Sequence, residues 1–134
     1  MRWRFAILIA CVLPVSLVAV AAPCLSYDKP ATLTGKVAIR TFFGPPNFGE
    51  NPETDSRETQ AILIAAKPVC VNANDEYDVE TNQTDVTLVP PRGVNWKTYA
   101  GKQVTVHGSL FHADNGHHRT TILMQVARIE QVPK

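Results

Sequence analysis

GKQVTVHGSLFHADNGHHRTTILMQVARI, residues 101–129, reads as two long β-strands folded back on each other. Val104, Val106 and Leu110 share one parity with Gly108 between them, while Thr105, His107 and Ser109 share the other. Such period-2 alternation buries one face of a strand and leaves the other to solvent. Asn115-Gly116 follows, a dipeptide that tolerates positive φ and predicts a tight reversal. The return strand, 121–129, is more continuously apolar. Three of the four histidines, His112, His117 and His118, crowd the turn.

Upstream of this hairpin, Val94 to Gly101 reads as one helical turn stopped by Gly101. Trp96 and Tyr99 are three apart, so they can cap one end of a barrel together. Before it lies a short strand, Asp85 to Val89, ended by Pro90-Pro91. Residues 72–85 are polar and acidic and read as a solvated loop. Glu58 to Lys67, centred on Ala61-Ile62-Leu63-Ile64-Ala65, has the continuous apolar character of a central strand buried on both sides. The first strand is Thr32 to Phe43, with Leu33, Val37 and Ile39 alternating against Thr34, Lys36 and Arg40. Gly35 in its interior marks a bend or bulge. After it, the Pro, Gly and Asn of 44–52 exclude a regular element and predict a shaped loop around Phe48.

The order is therefore strand, long loop, strand, loop, short strand, helical turn, strand, turn, strand. Five strands with a helical segment between the third and fourth is the order of an OB-like barrel, an all-β fold. The Gly-Lys-x-Val-x-Val-x-Gly run from Gly101 resembles the fourth strand of many OB-folds. Another small closed barrel or a sandwich are the competing architectures.

Residues 1–21 read as a signal peptide rather than as part of the fold. Arg2 and Arg4 precede an apolar run from Phe5 to Val20, and Ala19-Val20-Ala21 places small residues for cleavage after Ala21. The run is shorter than the roughly 20 residues of a spanning helix, so no membrane anchor is expected after cleavage. Residues 22–134 then form one domain, periplasmic or secreted. Of 13 basic residues two leave with the signal, so 11 face 12 acidic ones. That balance does not suggest a nucleic-acid partner. Cleavage also removes Cys11 and leaves Cys24 and Cys70, which an oxidising compartment would join in a disulfide.

Phe43-Gly44-Pro45-Pro46-Asn47, Pro68-Val69-Cys70-Val71, Gly101-Lys102-Gln103-Val104 and Gly108-Ser109-Leu110-Phe111 through Gly116-His117-His118 resemble a family of secreted bacterial proteins. That family is known only as domain of unknown function 4431. The resemblance runs over nearly all of residues 22–134. It implies a bacterial periplasmic setting and no particular activity.

In an OB-like barrel the first-to-second and fourth-to-fifth strand loops flank one binding face. Here these are Gly44–Asp55 and the His-rich turn 112–118. Asn47 and Phe48 from the first, with His112, Asp114, His117 and His118 from the second, are the expected recognition residues. This predicts a non-enzymatic periplasmic binding module, with a cell-wall fragment or an envelope protein as partner. One alternative is a metal-binding accessory protein, with His112, His117 and His118 as ligands for zinc or copper. Adjacent His117 and His118 point to opposite faces if extended, which opposes a shared ion. A second alternative is an inhibitor-like module acting on an envelope protein. No Gly-x-Ser-x-Gly, no His-Glu-x-x-His and no free cysteine with a base points to catalysis. Charge is uneven: residues 50–85 carry nine acidic side chains against Arg57 and Lys67, and all four histidines lie after residue 86.

Overall fold

The computed structural model describes residues 22–133. The expected signal peptide, 1–21, lies outside the described residues. Five strands carry the fold: β1 (Pro30–Phe43), β2 (Arg57–Val71), β3 (Glu80–Val89), β4 (Gln103–His112) and β5 (Ile122–Gln131). They close into a barrel in the order β1-β2-β3-β5-β4, with β4 returning to β1. Every pairing is antiparallel except β3 with β5, which is parallel over Thr87–Val89. This ring, with its helical segment after the third strand, is the OB-like arrangement that the element order predicts.

That segment is a single 3-10 turn, Trp96–Tyr99, whose first turn is capped by the Asn95 side chain accepting from the Lys97 N–H. Pro90-Pro91 before it and Gly101 after it, at φ 74°, leave room for no more. Trp96 and Tyr99 meet edge to face at 5.9 Å, and both pack on the core as expected.

The hairpin supplies much of the interior. Val104, Val106 and Leu110 of β4 and Ile122 and Met124 of β5 have no measurable solvent exposure. The β4–β5 register shifts between His107 and Gly108: His107 faces Arg128, but Gly108 faces Val126, leaving Ala127 as an extra residue. The shift changes parity along β5. Ile129 packs on the core on one side of it, and Val126, Met124 and Ile122 do so on the other. The bulge explains why the return strand has no clean alternation in sequence. Leu123 is buried on the outer face instead, in a row with Ile62 and Thr87 of neighbouring strands. Thr120 latches that row by bonding the Thr87 N–H and hydroxyl at 2.9 and 2.8 Å. Ile62 and Leu63 are therefore both buried, on opposite faces of β2, as its apolar run predicts.

Two elements differ from the sequence reading. β2 continues through Pro68 to Val71 instead of ending at Lys67. It leaves β1 after the Gly35–Ala65 pair and reaches β3 through register shifts flanking Val69, so the missing proline N–H costs no β1 ladder bond. β3 begins at Glu80 rather than Asp85, because Val69 and Val71 pair with Gln83 and Glu80. The polar segment 80–84 is a strand by partnership, not by pattern.

Cys24 and Cys70 form a disulfide. Around it Leu25 N–H bonds the Cys70 carbonyl and Asn72 N–H bonds the Leu25 carbonyl, both at 2.8 Å. The segment before β1 is thereby fixed to the end of β2.

Candidate functional site

The loops 44–56 and 113–121 meet at one end of the barrel. The first is organised around Asp55, which is 8% exposed. Its carboxylate accepts backbone N–H bonds from Asn47, Gly49 and Asn51 at 2.8, 2.7 and 3.3 Å. Burial pushes its pKa up, but the three N–H donors outweigh that and hold it below the ordinary aspartate value. Bonds between Gly44 N–H and the Ser56 carbonyl and between Ser56 N–H and the Pro45 carbonyl close the neck of the loop. At its tip Phe48 has φ 52°, a left-handed conformation that costs a side-chain-bearing residue about 1 kcal/mol. The residue is 41% exposed.

The Phe48 ring rests on the second loop. A Cβ at Gly116 would lie 3.0 Å from it, and the His117 ring meets it edge-on at 5.7 Å. Neither Asn115 nor Gly116 has positive φ, and nine residues separate β4 from β5. The tight reversal expected at Asn115-Gly116 is therefore a longer turn without positive φ. Asn115 shapes the bend through its side-chain oxygen, which accepts the His117 N–H at 3.0 Å, and its carbonyl, which accepts the His118 N–H at 3.1 Å. Gly116 serves by lacking a side chain beneath Phe48.

Glu58, at the start of β2, joins the two loops. One oxygen meets His117 Nδ1 at 2.5 Å, and the other accepts from Arg119 at 2.8 Å. The Arg119 hydrogen bond is the main cause that lowers the Glu58 pKa, with burial opposing it and His117 adding to it. Arg119 also donates to the Phe43 carbonyl, and its guanidinium lies 5.3 Å from the Phe42 ring and 5.5 Å from the Phe48 ring. The Gln60 amide donates to the His117 carbonyl at 2.7 Å. Glu58 and Arg119 are thus committed to one another, whereas Glu50 and Glu53 of the first loop are exposed and form no ion pair among the described residues. Phe48 and the half-exposed His117 imidazole are the ring side chains that the platform leaves open to solvent.

The six residues expected from sequence divide into three groups. Asn47, Phe48 and His117 lie on the platform. Asp114 and His118 brace its second loop: His118 Nδ1 accepts the Asp114 N–H at 3.0 Å, and its ring packs edge-on against Phe111. His112 belongs elsewhere. It stacks on Tyr77 at 3.9 Å, bonds the Ala113 carbonyl through Nδ1 and Glu80 through Nε2, and lies near Tyr27. Burial, with help from Glu80, pushes the Tyr27 pKa up to about 12. His112, His117 and His118 thus have separate acidic neighbours, Glu80, Glu58 and Asp114. Among the described residues, no group of three or more His, Cys, Asp or Glu side chains is arranged to hold a metal ion. The platform residues missed in sequence are Glu58, Gln60 and Arg119. For Glu58 and Arg119 the only signal was charge beside the loops, and Gln60 carried none.

These features define a small OB-like barrel carrying a two-loop platform. Residues 83–130 match the family described as Domain of unknown function (DUF4431). The match spans β3 to β5 and includes the second platform loop. The resembling segments Phe43–Asn47 and Pro68–Val71 lie outside it, so it is narrower than the resemblance seen in sequence. Searches of curated proteins and of solved structures gave no match.

Proposed function

We propose that this chain is a non-enzymatic binding module of the bacterial periplasm that holds its ligand on the 44–56 and 113–121 platform. The observation that carries this reading is Phe48, an exposed ring held on strained backbone by the Asp55 cradle and seated on Gly116. Aromatic side chains fixed before contact bind without a large ordering cost, which is the character of an interface anchor. His117 adds a hydrogen-bonding edge beside it. The Cys24–Cys70 disulfide and the amino-terminal signal pattern support the oxidising compartment. A cell-wall fragment or an envelope protein is the partner class. The rigid first loop favours the protein version, including the inhibitor-like one, because such loops insert into a partner's groove with little rearrangement. The near-neutral charge and the pairing of Arg119 with Glu58 disfavour nucleic acid.

The test compares residues 22–134 with the variants Phe48→Ala and His117→Ala. Co-sedimentation with purified cell-wall sacculi and cross-linking pull-down from an envelope extract separate the two partner classes. Retention by the wild type and loss by Phe48→Ala, at unchanged thermal stability, is the expected result. Equal retention of wild type and both variants in both assays removes the platform from the reading.

A further inference from the structure

β1 and β2 separate at the end away from the platform. Their ladder runs from Phe43–Arg57 to Gly35–Ala65 and stops. Beyond it, from Pro30 to Thr34, β1 pairs only with β4. β2 there turns to β3 and to Leu25 of the amino-terminal segment. The split opens a cavity of about 490 Å³, within the range of pockets that hold small ligands. Leu25, Leu33, Ala65, Pro68 and Val69 line it. Leu33 and Val69 also belong to the barrel core, so the cavity reaches the apolar interior. Its third wall, Ala22 to Leu25, is pinned by the Cys24–Cys70 disulfide. Lys67 stands at the exposed rim and forms no ion pair among the described residues.

We propose that this cleft is a second ligand site, separate from the platform, which takes the hydrocarbon chain of a single-chain amphiphile whose anionic headgroup pairs with Lys67. Apolar lining left open to water gains by accepting an apolar chain, and the unpaired ammonium selects the sign of the head. The ladder between the cleft and the platform is about 26 Å long at roughly 3.3 Å per residue, so one ligand does not span both sites by contact with this ladder alone.

The experiment is calorimetric titration of residues 22–134, disulfide intact, with dodecanoate below its micelle concentration. Dodecyltrimethylammonium is the control of opposite charge. Ala66 lines the mouth and is exposed, so Ala66→Trp fills the cleft from the surface. The expected result is one-to-one dodecanoate binding, weakened at least tenfold by Ala66→Trp. Lys67→Glu, a second surface change, should weaken dodecanoate about tenfold and reverse the preference toward dodecyltrimethylammonium. Phe48→Ala should leave this binding unchanged, which separates it from the platform reading. Absence of dodecanoate binding to the wild type overturns the proposal. So does binding that is insensitive to Ala66→Trp in folded protein and to Lys67→Glu.

Discussion

Replacing Gly108 with alanine tests the barrel at its tightest point. A Cβ there would lie 2.1 Å from the Gln125 carbonyl oxygen and 3.1 Å from Met124 Cγ. The first obstacle is backbone, which cannot rotate away as a side-chain end can. Relief requires β4 and β5 to separate beside the bulge, where Gly108 faces Val126 and Ser109 faces Gln125. Losing two ladder hydrogen bonds costs about 2 kcal/mol, and overpacking the Met124 side adds about 2 kcal/mol. The sum, about 4 kcal/mol, corresponds to a fall in Tm of about 17 °C for a domain of this size. Gly93→Ala is the control. It has open space around its Cβ but a φ of 83°, so it should cost only about 1 kcal/mol. Thermal melts followed by circular dichroism, checked by urea titration, give both numbers. A Gly108→Ala variant no less stable than Gly93→Ala would refute the steric argument and the bulge with it.

The disulfide closes a sequence separation of 46 residues, so a Cys24→Ala/Cys70→Ala variant should lose about 4 kcal/mol in the chain-entropy model; an unchanged urea midpoint would contradict this, as would free thiols in the denatured wild-type protein. Asp55 and Glu58 both have lowered folded-state pKa values, so their contribution is complete above the ordinary carboxylate values, about pH 4, and is lost as pH falls through the lowered ones. Asp55→Asn should therefore flatten the acid limb of stability against pH between 7 and 2, and an unaltered limb would show that its cradle contributes nothing. His112→Ala removes the Tyr77 stack and the Glu80 bond and should cost about 2 kcal/mol while leaving ligand retention on the platform intact. His117→Ala, at an exposed pair, should cost about 0.5 kcal/mol and weaken retention; the reverse pattern in these two variants would exchange their assigned roles.

The candidate site was legible in part because loops at one end of a barrel follow from strand order alone. Phe48 stood out as the large apolar residue in a Pro/Gly-rich loop, and the hairpin turn was marked by its histidines. What no local pattern could give was their mutual arrangement. Glu58 and Gln60 reach the platform only because β2 begins beneath both loops, and Arg119 only because the long turn folds back toward Phe43. His112 was misgrouped for a similar reason. It closes β4 on the inward parity of Leu110, so its ring enters the Tyr27–Tyr77–Glu80 cluster rather than the turn.

By itself the sequence determined the strand count, the helical turn and the inward residues of β1 and β4. These are local matters of side-chain period and of residues with or without a Cβ. The tertiary structure alone decided the start of β3, the end of β2, the parity change at Ala127 and the split between β1 and β2. Each depends on which backbone groups find partners far along the chain. A polar stretch such as 80–84 becomes a strand when a neighbour supplies its hydrogen bonds, and Leu33 and Val69, each paired on its other side, flank a cleft where β1 and β2 do not pair with each other.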